Sequence, residues 1–232
     1  MSINDCNLQP NRIDLWEFPL DKLPVLTDSV LNENELARAN RFYFERHKRR
    51  FKAARATLRL ILSRYLQIDA NQLQFTYNNH GKPELHHQAI EFNLSHSHDL
   101  ALLAVGQQFP LGVDLEFFSA RSYDGIANHL FSQQELRSFL KLPFYLKPQA
   151  FFQVWAQKEA FIKACGMGLA YPTQRFNVPL LAYTPALIPD PINNKEWQLV
   201  SFMPRIACSA ALCHHPDIQE IRYISLNNEH LP

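Results

Sequence analysis

Two short strings put charge where apolar residues dominate. Gly112 to Glu116 reads GVDLE and Trp155 to Lys163 reads WAQKEAFIK, which sets three carboxylates and two lysines inside hydrophobic runs. An ionised carboxylate buried without a partner costs roughly several kcal/mol, so acids in such positions usually face a metal, a cation or a proton transfer. Around the first string, Leu111, Val113, Leu115 and Phe117 alternate with Gly112, Asp114 and Glu116. That is the period of a strand, and it puts both acids on one face. Two such acids can offer oxygens to one ion, since magnesium takes hard oxygen ligands and keeps waters or phosphates as the rest. The same alternation also describes an acidic strand face turned to water. In the second string, helical spacing places Glu159 and Lys163 on the side shared by Phe152, Trp155 and Ile162, with Lys158 near Phe151 and with Gln153 and Gln157 opposite. Taken alone, Glu159 and Lys163 are equally an i,i+4 helix pair worth roughly a few tenths of a kcal/mol.

Other polar clusters flank these strings. FNLSHSHDL, Phe92 to Leu100, gathers Ser95, His96, Ser97 and His98 just before an apolar run, where a histidine either contacts phosphate or serves the structure. Arg38 to Arg59 holds nine of the chain's 23 lysines and arginines against one acid, Glu45, although the net charge is only +1. This basic window is a docking place for something anionic or a solvated helix face. The small net charge argues against nucleic acid as a partner. Cys6, Cys165, Cys208 and Cys213 lack CxxC spacing, as expected of reduced thiols. Cys208 and Cys213 precede His214 and His215, so zinc is conceivable, but the spacing matches no common ligand pattern.

The elements that must position these residues are legible from pattern. With 232 residues, 47% hydrophobic and 19% charged, the chain can bury a real core as one large domain or two packed subdomains. Phe51, Ala54, Leu58, Ile61, Leu62 and Tyr65 predict an amphipathic helix over 45–66, with Lys48, Lys52, Arg55 and Arg59 as a basic stripe and Arg50 on the opposite rim. A shorter helix is expected over 33–40. NNHGKP, 78–83, is a turn by composition, with strands after it at LALLAV and LGVDLEF. Ser132 to Glu135 reads as a capping box that starts a helix. A further helix over 149–165 stops at GMGL, with Pro172 beyond. WQLVSFM and IRYISL predict C-terminal sheet. No run approaches the roughly 20 apolar residues that span a bilayer, and the opening MSINDCNLQP lacks a signal-peptide core, so a cytoplasmic protein is expected.

Taken in order, GKPEL (81–85), FNLSHS (92–97), LGVDLE (111–116) and WAQKEAFIKACGMGL (155–169) resemble the 4'-phosphopantetheinyl transferases, in particular the larger single-chain surfactin-synthetase-activating (Sfp) type. The resemblance runs roughly from Arg38 to Pro172. It implies an α+β fold, a pseudo-dimer of two similar subdomains with the active site in the cleft between them, divided here near Gln108 into 1–108 and 109–232. It implies transfer of the phosphopantetheine arm of coenzyme A to a serine of an apo acyl or peptidyl carrier protein, with release of adenosine 3',5'-bisphosphate. By that resemblance Asp114, Glu116 and Glu159 are the ligands of a magnesium ion. Glu159 is the candidate base, directly or through water, Glu116 shares the catalytic centre, and Lys163 stabilises charge on the reacting phosphate. Lys82, Ser95, His96 and Lys163 face coenzyme A phosphates, with Arg50, Arg38 and Arg41 near the 3'-phosphate. The carrier is expected to dock near the loop from Phe117 to Phe131. A monomer is expected, with neither nucleic acid nor membrane as partner. Three positions depart from relatives: Met167 stands where lysine is frequent, Glu35 roughly where a relative can use a base, and Phe51 where a small polar residue can occur. Two rivals share the carboxylates or the scaffold: a metal-dependent phosphoesterase, and a non-catalytic carrier-protein or nucleotide-binding module.

Overall fold

The computed structural model describes residues 6–21, 28–85, 90–120 and 123–226. The first five residues of the polar start, and Arg121 and Ser122 of the expected docking loop, lie outside them. In chain order the elements are β1 (Arg12–Pro19), α1 (Glu33–Ala39), α2 (Glu45–Leu66), β2 (Phe75–Tyr77), β3 (Pro83–Leu85), β4 (Glu91–Ser97), β5 (Leu100–Gly106), β6 (Gly112–Phe117), α3 (Asp124–Leu130), α4 (Gln133–Leu140), α5 (Lys147–Cys165), β7 (Ala186–Asp190), β8 (Lys195–Arg205), β9 (Cys208–His214) and β10 (Glu220–Ser225).

Two four-stranded sheets, ordered β10-β1-β5-β4 and β6-β9-β8-β7, lie face to face between two long helices. Strand alternation shows why. Leu100, Leu102 and Ala104 of β5 meet Leu111, Val113 and Leu115 around β6 and Cys208, Ala210 and Leu212 of β9 in a core between the sheets. The alternate residues Ala101, Leu103 and Val105 meet Ala54, Leu58, Ile61 and Leu62 of α2. On the far face of the second sheet, Ala211 and Cys213 pack with Ala156, Ala160 and Phe161 of α5. A strand covered on both faces reads as a continuous apolar run, which is what LALLAV is. Each half thus pairs one sheet with one long helix, the expected α+β arrangement. Gln108 falls in the β5–β6 connection, but β10 crosses back to lie parallel to β1, from Arg12 opposite Glu220 to Glu17 opposite Ser225. The last strand therefore belongs to the first sheet, which local pattern cannot reveal.

The second half is tightened around α5. Gly112 lies directly under the helix: a Cβ there would stand 2.1 Å from the Ala160 carbonyl oxygen and 2.4 Å from the Ala164 nitrogen. The glycine of GVDLE is thus required by close approach, and it seats Asp114 beneath α5. The helix is buried on more sides than the helical wheel suggests. Gln153 and Gln157 are buried, because the 179–182 segment crosses over them: Gln153 donates to the Ala182 carbonyl at 2.7 Å and accepts from the Leu181 amide at 2.5 Å, and Gln157 donates to the Pro179 carbonyl at 2.8 Å. Lys158 is fully buried, donating to the carbonyls of Thr173 at 2.6 Å and Phe176 at 2.9 Å and pairing with Glu135 at 2.9 Å. Burial pushes its pKa down and the Glu135 carboxylate opposes that shift. Glu135 is the same residue that closes the Ser132 capping box, so the α4 start and the α5 middle share one carboxylate.

The zinc reading does not hold. Cys208 and Cys213 lie on opposite faces of β9, one in the core between the sheets and one against α5. Among the described residues no helix is long and apolar enough to cross a membrane.

Gly112→Ala is expected to destabilise the fold by about 1–3 kcal/mol or more, since the added methyl meets helix backbone and not a movable side chain. A wild-type urea midpoint for this variant would contradict the close approach. Lys158→Met, which strands Glu135 without its buried partner, is expected to cost about 3–5 kcal/mol in the same measurement.

Candidate active site

The two sheets meet along a seam between β4, an edge of the first, and β6, an edge of the second. Side chains on β4 replace ladder bonds there. Asn93 accepts from the Val113 amide at 2.9 Å, Ser95 donates to Asp114 Oδ1 at 2.8 Å, Ser97 donates to Glu116 Oε2 at 3.2 Å, and the Phe117 amide donates to Ser97 Oγ at 3.4 Å. Both rows have a period of two, so each acid of β6 meets its own serine of β4.

From α5, Lys163 reaches into the same seam. Its Nζ donates to Asp114 Oδ1 at 2.6 Å, Ser95 Oγ at 2.8 Å and the Val113 carbonyl at 3.2 Å. Asp114 is buried, and its second oxygen, Oδ2, has no hydrogen-bond partner among the described residues. Glu159, one turn before Lys163, is half-buried beside it. Burial and the Asp114 charge, with a further contribution from Glu159, push the Glu116 pKa up to about 7 against the opposing pull of Ser97 and Lys163. Burial and Asp114 likewise raise Glu159, while Lys163 opposes. Three carboxylates are therefore close enough to repel one another, with one ammonium among them.

Four clefts open around this cluster. One of about 160 Å³ is lined by Glu116, Phe117, Tyr123, Phe152 and Trp155, and an apolar one of about 400 Å³ by Ile126, Trp155, Glu159, Ile162 and Tyr171. A third of about 300 Å³ is lined by Lys82, Asn93, Glu159 and Lys163, and a fourth of about 510 Å³ by Phe42, Arg46, Arg50, Phe51 and His96.

Comparison with known proteins decides what this arrangement belongs to. Residues 110–205 match the family model described as "4'-phosphopantetheinyl transferase superfamily", and residues 16–108 match "4'-phosphopantetheinyl transferase, N-terminal". The chain is 38% identical over 213 residues to the 4'-phosphopantetheinyl transferase HetI of a Nostoc species, covering 88% of each protein. This chain belongs to the 4'-phosphopantetheinyl transferase family. It is also 28% identical over 194 residues to the transferase Sfp of Bacillus subtilis, covering 83% of this chain and 86% of that one.

The transferase fold brings Asp114, Glu116, Glu159, Lys163 and Ser95 together, as the motifs suggested. The Ser95 hydroxyl is committed to Asp114 and Lys163. Lys82 lines the same cleft as Glu159 and Lys163, donates to the Leu111 carbonyl at 3.0 Å, and has its pKa lowered by burial. His96 lies in the fourth cleft with Arg50. Arg50 holds Asp21 in a two-point contact at 3.0 and 2.7 Å, and that hydrogen bonding keeps the Asp21 carboxyl down at about 2. Arg38 lies 5.3 Å over the Phe51 ring and thereby backs the cleft wall, while Arg41 is exposed between α1 and α2. Part of the basic window is structural: Arg55 and the fully buried Arg59 both pair with Glu35, at 2.6 and 2.8 Å. Glu35 also closes a capping box with Asn32 and is spent on the fold. Met167 packs against the α5 core. Among the described residues no three His, Cys, Asp or Glu side chains already stand close enough to share a metal ion, and the cation on Asp114 is Lys163.

Sequence reading missed the residues that hold the others. Asn78 accepts from the His80 amide at 2.9 Å and the Lys82 amide at 3.0 Å, and donates to the Gly166 carbonyl at 3.0 Å. It fixes the Lys82 turn, in which Gly81 takes φ +84°, to the end of α5. The signal was present, as an asparagine that opens a glycine turn commonly bonds its own backbone two residues on. Asn93 was equally visible as an alternate polar position of FNLSHS, whereas Ser97 was already singled out there and only its partner, Glu116, was not foreseen. Asn78→Ala is expected to cost about 1–3 kcal/mol by leaving these groups unpaired. An unchanged denaturation midpoint would show that the turn holds without it.

Proposed function

We propose that the β4–β6 seam is where this phosphopantetheinyl transferase moves the 4'-phosphopantetheine arm of coenzyme A onto a serine of an apo acyl or peptidyl carrier protein, releasing adenosine 3',5'-bisphosphate. The observation that carries this reading is the Lys163 ammonium held on buried Asp114, with Glu116 and Glu159 beside it, where an apolar cleft and the Lys82 cleft share Glu159.

Each residue has a role in that chemistry. Glu159 lines both the apolar cleft and the Lys82 cleft, and takes the proton of the incoming serine, directly or through water. The serine oxygen forms a bond to the phosphorus that bears the pantetheine arm. The bond from that phosphorus to the oxygen of the adenosine bisphosphate breaks, and the leaving phosphate keeps the electron pair. Lys163 and Lys82 supply fixed positive charge to the oxygens where charge builds, which lowers the barrier without reorganisation during the step. Arg50, His96 and the aromatic walls Phe42 and Phe51 suit a nucleotide with a 3'-phosphate, Arg50 exchanging Asp21 for phosphate in the same forked geometry. Arg38, over the Phe51 ring, and exposed Arg41, next to Phe42 in the chain, stand by those aromatic walls and are assigned to the same phosphate. Asp114, Glu116 and Glu159 are a hard-oxygen set that fits magnesium, with Asp114 Oδ2 an orphaned buried acceptor and Glu116 carrying a pKa raised by its neighbours. Bound there, the ion would neutralise pyrophosphate charge and polarise the reacting phosphoryl group. Both lobes come from one chain, so one copy suffices for the site.

Incubation with an apo-carrier protein, coenzyme A and magnesium, followed by mass spectrometry, is expected to show one phosphopantetheine added per carrier. Coenzyme A hydrolysis with an unmodified carrier would indicate the phosphoesterase instead, and binding with neither change the non-catalytic module. Glu159→Gln is expected to lower kcat by about 10²-fold or more, and Asp114→Ala by a similar factor. Wild-type rates in both variants would remove these carboxylates from the mechanism.

A further inference from the structure

We propose that Lys163 is a gate on Asp114 that coenzyme A opens: the ammonium fills the carboxylate in the free protein, and the coenzyme's phosphates draw it off, so that coenzyme and divalent cation load together. The proposal rests on the seam being the transfer site.

The two oxygens of Asp114 carry it. Oδ1 already accepts from Lys163 at 2.6 Å and from Ser95 at 2.8 Å. Oδ2 is buried from solvent and has no partner among the described residues. A cation arriving from water therefore meets one oxygen that is filled and another that is sealed. The occupant is well held, because Lys163 Nζ finds three acceptors, Asp114, Ser95 and the Val113 carbonyl, for its three donors. Metal alone must displace a fully hydrogen-bonded ammonium.

The strand cannot yield in its place. Gly112 is wedged under the backbone of α5, and Asn93 ties the Val113 amide across the seam. Lys163 can yield, since its side chain is 27% exposed and lines the cleft that also holds Lys82. A phosphate entering that cleft offers the ammonium charged oxygens to replace a carboxylate, a near-even exchange of charge-assisted bonds. Once Lys163 turns to phosphate, Asp114 is open. Such a linkage is reciprocal, so each ligand must raise the affinity for the other.

The test is direct binding of Mn²⁺, a reporter for Mg²⁺, followed by the paramagnetic signal of the free ion. The wild-type protein is titrated alone and with saturating coenzyme A, against a coenzyme A blank. Lys163→Met and Lys82→Met are titrated without coenzyme, after thermal melts confirm folding. Wild type is expected to bind Mn²⁺ at least about tenfold more tightly with coenzyme A than without. Lys163→Met without coenzyme is expected to gain at least about tenfold over wild type, and Lys82→Met, whose ammonium is on Leu111 and not on Asp114, less than about threefold. Equal wild-type affinity with and without coenzyme overturns the gate, a result that needs no variant. No gain in Lys163→Met, or an equal gain in Lys82→Met, overturns it too. Carrier modification is measured on the same preparation. Transfer with a failed gate result rejects the gate alone, whereas absence of both transfer and Mn²⁺ binding rejects the site reading and the gate with it.

Discussion

The contact on which the rest depends is the one between β6 and α5 at Gly112. A strand brought so close to a helix that no Cβ fits between them leaves its next inward residue, Asp114, nowhere to turn except along the helix, where Lys163 stands. From that contact follow the burial of Asp114, the proximity of Glu116 and Glu159, and the mutual repulsion that makes the cluster receptive to a cation and to phosphate. Core side chains can shift rotamer to admit an added methyl at some cost, but helix backbone packed against strand backbone has no such freedom.

The seam adds the second half of the site from the other lobe. Ser95 and Ser97 arrive from β4 with the same spacing as the acids they meet, so one register error between the lobes would unpair both. Ties remote from the chemistry protect that register. Asp14 on β1 accepts from Arg222 on β10 at 2.6 Å and from Tyr65 on α2 at 2.5 Å, and Glu17 accepts from Arg205 at 2.5 Å and from Tyr223. The Arg205 pair joins β8 of the second sheet to the first, and the others fix β10 and α2 on β1, so the end of the chain stabilises a cleft whose chemical residues all lie at or before Lys163. Buried networks of this kind are costly when half-satisfied, which favours one arrangement of the lobes over near alternatives.

Much of this was legible in the sequence, for identifiable reasons. The α2 bounds follow from apolar periodicity, the α4 start from its capping box, and the α5 stop from Gly166, which takes φ +71° at the helix end. The acids of β6 were placed on one face by alternation alone. What pattern could not supply was tertiary: that β10 returns to β1, that the 179–182 segment would bury Gln153 and Gln157, and that Arg55 and Arg59 would be spent on Glu35. Each is a contact between residues far apart in the chain, and a helical wheel knows only its own helix. The four motifs joined in order what geometry alone left open, since strand acids and helix pairs are common and their convergence is not.

Crystals grown with Mn²⁺ and coenzyme A, measured for anomalous scattering at the manganese edge, would locate the metal and the Lys163 ammonium in one experiment. One strong peak bounded by oxygens of Asp114, Glu116 and Glu159 is expected, with Lys163 turned from Asp114 toward phosphate. A peak elsewhere, or coenzyme bound at the seam with no metal among these carboxylates, would contradict that placement.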